Sequence, residues 1–442
     1  MTSKRMPTHP FERGLTTAGM ALTVGRHVVS GVARDVLQGQ RPNITRAALA
    51  PQSIADVVGS LKTLRGAAMK FGQLVSLDDS LVLSPELAQI FAQLRSDGYA
   101  MPPKQLKSVL TAQWGAGWHR QFVRFDPVPF AAASIGQVHR AQLHDGRDVA
   151  VKVQFPNVDR TLHSDLASLR RILKTSHILP KGFDLDYYMD LCTDQLVQET
   201  DYVREADNMT RMRHLFAGRD DVIVPQVIDS HSTAAILTMT YEQGRDLSHL
   251  RDMPMAQRPA MAQTLLGVVL AEIFDHGFVQ TDPNLANFKL SMDGTSLILL
   301  DFGSCVTVHP DTQRLYRDMA GAVCARDSAT LWDVFDRNGL FPAELTSADR
   351  DWIAGVMDTG LNDLDAAGCV NFARARIFDH LNINDIARYS RMVPAGRVAG
   401  DFIFVQRKLA GLVFFCRSLG VGLPILPAVS HVLEKTKKCK QM

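Results

Sequence analysis

Apolar residues recur at steps of three and four along most of the chain. In a stretch of the first half, and again over 288–300, they recur at every second position. An α+β protein is therefore expected, with a small sheet set into its first half. Leu61, Leu64, Ala68, Phe71 and Val75 form an amphipathic stripe and predict a helix over 54–78. Ser84-Pro85-Glu86 offers an N-cap, a proline at the first helical position and an acid in the first turn, which predicts a helix to Ser96. A further helix is expected over Lys104–Trp114, closed by Gly115 and Gly117. From Phe122 the reading changes to strand, loop, strand, turn and strand. Asp145-Gly146 marks a tight hairpin, and Val149, Val151 and Val153 alternate with Ala150 and Lys152. One long helix is expected over 184–216, and Ile223–Val227 with Ala234–Met239 complete the small sheet. Phe288–Met292 and Ser296–Leu300, joined by Asp293-Gly294, predict a second hairpin; residues 304–442 are mostly helical in pattern.

The beginning of the chain has a different character. After a Pro- and charge-containing tail, Thr16–Val36 is dominated by small and apolar residues, with Gly19, Gly25 and Gly31 at six-residue intervals. Such glycines weaken an isolated helix but permit close packing, so a docked helix and a shallow membrane contact both fit. Residues 41–53 read as a linker. Two apolar runs could suggest membrane spans, but Glu272 and Asp275 interrupt Thr264–Phe274, and Arg407 and Lys408 interrupt Phe402–Phe415. Buried core helices are expected instead. Polar residues break every apolar stretch at the start, so a signal peptide is not expected.

Composition narrows the classes. With 442 residues, two domains or one two-lobed unit are expected. A net charge of +2 argues against a nucleic-acid surface. The six cysteines form no CxxC and the histidines no HExxH, so zinc and thioredoxin-like chemistry lack support. Free thiols in a cytoplasmic protein, peripheral to a membrane at most, are the expectation.

The chemistry concentrates between Gln280 and Gly303. Asp282 is followed five residues later by Asn287 and nineteen later by Asp301, with Phe302 and Gly303 after it. A loop with Asp and Asn, a hairpin, then Asp-Phe-Gly is the order and spacing of a protein-kinase catalytic loop and metal-binding loop. Phosphoryl transfer needs positioning and charge neutralisation. Asp282 is the candidate to orient or deprotonate the acceptor, and Asn287 and Asp301 are candidate oxygen ligands for Mg2+. On the upstream strand, Lys152 faces away from the valine row, as does the lysine that pairs nucleotide phosphates in kinases, and Glu205 is its candidate partner. That leaves Glu199 and Asp201 for another cation. Ala131, Ala132, Ala133, Ser134, Ile135 and Gly136 stand where a glycine-rich phosphate cover is usual, and alanine restricts such a loop. Thr240, Tyr241 and Glu242 stand where a hinge passes the adenine, binding through backbone. No Ala-Pro-Glu segment and no long activation loop follow.

Taken jointly, Lys70, Gly72 and Gln73 as Lys-x-Gly-Gln, Ala131–Gln137, Val149–Lys152, Glu199–Ala206, the Asp282–Asn287 loop and Asp301–Gly303 resemble the UbiB family of atypical kinases, also called aarF-domain-containing kinases. The resemblance spans about residues 15–425. Gln280-Thr281-Asp282-Pro283-Asn284 is most similar to its coenzyme Q-associated mitochondrial and proteobacterial branch. The resemblance implies an α+β, kinase-like two-lobed fold: a helical extension over 1–120, an N-lobe over 121–243 and a mostly helical C-lobe over 244–442. It also implies that Lys70 meets Glu199 and Asp201 while Lys152 meets Glu205, so that the extension, including Gln73, gates the cleft. ATP and Mg2+ are the implied cofactors. Ubiquinone-biosynthesis proteins or lipid intermediates are the implied partners, and protein phosphorylation is disfavoured. A conventional protein or small-molecule kinase and a nucleotide-sensing scaffold with little turnover remain the alternatives. Lys70, the alanines and the missing Ala-Pro-Glu speak against the first, and the full set of Lys152, Asp282, Asn287 and Asp301 against the second.

Overall fold

The computed structural model describes residues 64–76, 100–176, 185–247, 258–282, 284–341, 344–380 and 397–441, with a few isolated positions besides. The Thr16–Val36 stretch, the linker at 41–53 and the helix expected after Ser84 lie outside the described residues, as does most of the first half of the helix expected over 54–78. The chain divides into two compact units, one of residues 1–207 with 226–241 and the other of 208–225 with 242–442.

In the first unit, α1 (Arg65–Ser76) buries Ala68, Phe71 and Val75 of the stripe that the spacing predicts, and Leu61 and Leu64 just before it are buried too. α2 (Pro103–Trp114) starts on a proline and stops at Gly115, whose φ of 84° suits a residue without a Cβ. Then come β1 (Phe122–Phe125), β2 (Ala131–Ala133), β3 (Gly136–Leu143) and β4 (Asp148–Gln154), α3 (Val158–Ser176), α4 (Leu185–Glu199), the start of α5 (Tyr202–Leu215) and β6 (Ile236–Thr240), with β5 and α5 from Asn208 onward belonging to the second unit. The antiparallel sheet runs β1-β3-β4-β6, and β2 adds to β3. Val149, Val151 and Val153 of β4 pack with Leu106, Leu110, Phe122 and Ile236 into one apolar core. A buried polar chain crosses this region. Gln137 accepts from the Met101 N–H, Gln137 Nε2 meets His139 Nε2 at 2.8 Å, and His139 Nδ1 meets the Asp126 carbonyl at 2.8 Å. Burial lowers the basicity of His139, and its bond to Asp126 only partly opposes this.

Two expectations need correction here. The helix foreseen over 184–216 is two helices, because Asp201 sits outside α5 and its Oδ1 accepts the Arg204 N–H at 2.9 Å, a local cap that competes with continuation. The strand foreseen at 223–227 does not join this sheet. β5 (Val222–Ile223) pairs parallel with a strand of the second unit, and Val227 makes only an isolated bridge to Met239.

The second unit holds β7 (Gly244–Asp246), α6 (Arg258–Leu270), β8 (Phe278–Gln280), β9 (Phe288–Ser291), β10 (Leu297–Leu299) and β11 (Cys305–Thr307). α7 (Pro310–Ala325), α8 (Ser328–Arg337), α9 (Ser347–Asn362), β12 (Val370–Asn371), α10 (Arg397–Leu419), β13 (Gly422–Leu423) and α11 (Ile425–Gln441) follow. α6 is buried around most of its circumference, as an all-apolar helix must be. It continues as a π-helical turn, Ala271–His276, and ends at Gly277. The β9–β10 hairpin turns at Gly294 with φ 79°, the positive value that its Asp-Gly predicts. The sheet order is β5-β10-β9-β7, and β8 pairs with β11 apart from it. Among the described residues no helix is long and apolar enough to cross a membrane.

Candidate functional site

The candidate residues occur in both units, and each set is built by its own local structure. In the first unit, the Lys152 Nζ donates to Glu205 Oε1 at 2.7 Å and to Oε2 at 2.9 Å, and it lies 5.0 Å from the centre of the Tyr202 ring. Both partners are buried. A charge-assisted pair of this kind fixes a lysine that would otherwise carry several free rotamers.

The alanine-rich stretch is not an open loop. Ala133 pairs with Gly136 in the β2–β3 ladder, so only Ser134 and Ile135 form the turn. Alanine tolerates extended φ and ψ, so a run of three extends the strand where glycines would loosen it. The turn is fixed from three sides. The Phe155 N–H donates to the Ile135 carbonyl at 2.9 Å. A Cβ on Gly136 would come within 2.5 Å of the Val153 carbonyl oxygen and 2.8 Å of the Tyr202 hydroxyl. A Cβ on Gly66 would come within 2.5 Å of the Ser134 carbonyl oxygen, so α1 rests directly on the turn.

α1 also packs against α4. Lys70 Nζ lies 2.6 Å from Glu199 Oε1, with Lys70 1% and Glu199 8% exposed. Glu199 is the last residue of α4. Beside this pair the Cys192 thiol faces the Ala67 carbonyl and is pushed up to about 12 by burial, which makes it a poor nucleophile. Asp201 is exposed and caps α5. The Gln73 side chain lies outside what is described. Along the hinge segment, the Thr240 N–H donates to the Gln226 carbonyl and the Tyr241 N–H to the Asp148 carbonyl.

In the second unit, Asp282 follows β8 and is buried, and its Oδ1 accepts the Asn284 N–H at 3.2 Å. The Thr281 N–H and hydroxyl both donate to the Ser304 carbonyl at 2.8 Å, which clips the Asp282 loop to the segment after Gly303. Asn287 ends a short 3-10 turn, Leu285–Asn287, started by an Asn284 cap. The Leu300 N–H donates to the Asn287 carbonyl at 2.9 Å, so the hairpin brings Asn287 beside the residue preceding Asp301. Asp301 Oδ1 accepts the Gly303 N–H at 3.0 Å, which orients the carboxylate. Phe302 is fully buried, and its carbonyl accepts from Asn208.

These residues fit a hard divalent cation. The buried Asn287 amide has its Nδ2 without a hydrogen-bond partner among the described residues, a donor that suits a phosphate oxygen, while its Oδ1 is the atom that would take a cation. No group of three or more His, Cys, Asp or Glu could hold a metal among the described residues. A cation here would take one amide oxygen and one carboxylate from the protein and the rest from phosphates and water, which suits Mg2+. Glu272 and Lys408 were legible only as charges interrupting apolar runs. They form a buried ion pair at 2.9 Å next to Gln280, and the sequence signal was a lysine and an acid inside helices that must be buried.

The model of the ABC1 atypical kinase-like domain matches residues 93–335. The chain belongs to the ABC1 atypical kinase family. It is thus an enzyme of the ATP-dependent atypical kinase class, also known as UbiB. The atypical kinase COQ8B, mitochondrial, of Danio rerio is 32% identical and aligns with 94% of this chain and 67% of its own. The atypical kinase COQ8 of Saccharomyces cerevisiae is 29% identical over 96% of this chain and 84% of its own. That of Schizosaccharomyces pombe is 34% identical over 98% and 71%. Among solved structures, Mycobacterium tuberculosis Rv3197 in complex with erythromycin superposes with a TM-score of 0.57 at 21% identity, over 88% of this chain and 97% of that one. That likeness bears on the fold alone, and it agrees with the α+β kinase-like architecture of an ABC1 atypical kinase.

Proposed function

We propose that this chain binds and hydrolyses MgATP in support of ubiquinone (coenzyme Q) synthesis, with its helical extension controlling access to the nucleotide. The observation that carries the reading is the buried bidentate pair of Lys152 and Glu205. A lysine on the third strand of a kinase sheet, fixed by a helix acid, is the device that neutralises α- and β-phosphate oxygens. In this reading Ala131–Ala133 with Ser134, Ile135 and Gly136 cover the phosphates, and Thr240–Glu242 receive the base. Asp282 orients the attacking water or hydroxyl and accepts its proton. Asn287 and Asp301 hold Mg2+, which supplies charge neutralisation at the phosphate oxygens when bound.

The extension favours ATP hydrolysis over protein phosphorylation. Lys70 and Glu199 are tied together by a buried ion pair, so α1 is anchored to α4 and cannot be displaced cheaply by an incoming polypeptide. In this reading Glu199 and Asp201 are the acids of the gate, Glu199 through its pair with Lys70. Relatives named as mitochondrial COQ8 kinases support a role with ubiquinone-synthesis proteins or their lipid intermediates. The chain works as a cytoplasmic protein peripheral to the membrane that holds those lipids.

The test is steady-state ATP hydrolysis by the parent and Asp282→Asn, with quinone profiling of a deletion strain carrying each. The parent should hydrolyse ATP and restore the quinone. Asp282→Asn should bind MgATP and do neither. A parent that neither binds nor hydrolyses MgATP overturns the reading.

A further inference from the structure

Lys408 lies in the interior of α10, 3% exposed. Its Nζ is 2.9 Å from Glu272 Oε2 and donates to Gln280 Oε1 at 3.1 Å, and it sits 5.4 Å from the centre of the Phe288 ring. Glu272 is 1% exposed and Gln280 4%. A buried ion pair is an expensive way to fill space, and apolar side chains of the same volume do it at lower cost. Its retention calls for a task that needs direction as well as volume.

The neighbours supply the task. Gln280 is two residues before Asp282, and Phe288 is one residue after Asn287. One ammonium therefore touches both ends of the loop that carries the proposed acid–base and metal-binding residues. The backbone of Gln280 is set by pairing with Cys305, and Thr281 is clipped to Ser304. The Gln280 side chain is set by Lys408. Glu272 in turn holds Lys408. It projects from the π-helical turn at the end of α6, where the wider winding re-aims a side chain that a regular α-helix would direct elsewhere. Burial drives the Glu272 carboxyl above the ordinary range, and Lys408 and the Gln280 N–H draw it back.

We propose that Lys408 is a positioning residue for the Asp282–Asn287 loop, acting through Gln280 and Phe288 and itself oriented by Glu272. This rests on the roles given above to Asp282 and Asn287. The ammonium has three donors on a rigid helix, and a fixed donor at Gln280 keeps the loop entrance from rotating. Small misplacements of a reacting group cost rate far more than they cost binding.

The experiment compares ATP hydrolysis by the full-length parent, Lys408→Met/Glu272→Leu, Gln280→Leu, the triple variant and Asp282→Asn. The double substitution removes cation and counter-charge together, and Gln280→Leu leaves the ion pair intact, so the two variants break the same contact by different routes, and a circular dichroism melt of each checks its fold. Each should lower kcat on the order of tenfold or more. Their KM for MgATP should stay within about threefold of the parent. The triple variant should be no worse than the weaker of the two, because both act through one contact. Three results overturn the proposal: parent-like kcat in either folded variant, losses that multiply in the triple variant, or a rise in KM that matches the fall in kcat. A loss in Asp282→Asn beside parent-like turnover in the others sinks this inference alone. Parent-like turnover in Asp282→Asn sinks the reading of Asp282 and the inference with it.

Discussion

Gly66 of α1 lies so close to Ser134 that a Cβ would come within 2.5 Å of the Ser134 carbonyl oxygen. Backbone meets backbone there, and neither side can yield by turning a side chain. Gly66→Ala is therefore expected to lower stability by about 1–3 kcal/mol, as overpacking does. Gly321, inside α7, has open space around it, and Gly321→Ala should raise stability by about 0.4–1 kcal/mol. Chemical denaturation of both variants checks the opposite signs. MgATP titration of Gly66→Ala should also show altered affinity, since the displaced turn is the proposed phosphate cover.

Lys152→Met leaves Glu205 as a buried charge without its lysine, and a loss of about 3–5 kcal/mol is expected. Lys152→Met/Glu205→Gln removes both charges and should recover most of that loss. Urea melts of the two variants decide this. Equal stability of single and double variants would show that the pair is not the cause.

Asp301 and Asn287 are the proposed Mg2+ ligands. MgATP should raise the Tm of the parent, and Asp301→Asn should remove most of the rise. A shift of parent size in the variant, still dependent on magnesium, would rule out the assignment.

Lys70→Ala and Ala133→Gly are expected to change nucleotide affinity or autophosphorylation without abolishing the fold, because one frees Glu199 and the other loosens the β2–β3 ladder beside the turn. Asp282→Asn should suppress turnover and leave nucleotide binding nearly intact. Parallel ATPase, autophosphorylation and binding measurements test all three. If the first two variants match the parent throughout, α1 is a packed helix and nothing more.

His139 gives a pH dependence with a definite sign. Burial lowers its folded value below the ordinary 6.5. As pH falls through 6.5, the unfolded chain takes up a proton that the folded chain refuses, so stability drops with acidification. Tm measured at several pH values from 8 to 5 should fall less steeply in His139→Gln, which keeps a polar hydrogen-bonding side chain but cannot titrate. His231 and His276 are shifted in the same direction and leave a residual slope.

Much of this was legible in advance because it is local. The alternation in β4, the Asp-Gly turns at 145–146 and 293–294, and the Pro and Gly ends of α2 each follow from a few adjacent residues. The Lys152–Glu205 and Lys70–Glu199 pairs span 53 and 129 positions, and spacing alone does not yield them; the motif set did, by resemblance. What escaped was tertiary. Asp201 had the composition of a mid-helix acid, and only its side-chain bond to Arg204 makes it a helix start. Val222–Ile223 has a parallel partner 75 residues away that no pattern near it announces. Lys408 gave a signal, a lone lysine in an apolar helix, but the identity of its partners depends on a π turn that sequence periodicity does not reveal.

The clip between Thr281 and Ser304 has a consequence for control. In many kinases the segment after Asp-Phe-Gly is the part that switches, swinging away while the catalytic loop stays in place. Here two hydrogen bonds from Thr281, and the β8–β11 pairing through Gln280 and Cys305, weld the two loops into one mechanical body. Swinging one without the other would break several bonds, each worth about 0.5–1.5 kcal/mol net, and would expose the buried Phe302 ring as well. With its metal-binding loop held to the catalytic loop in this way, the proposed enzyme would be controlled by admitting or refusing the nucleotide.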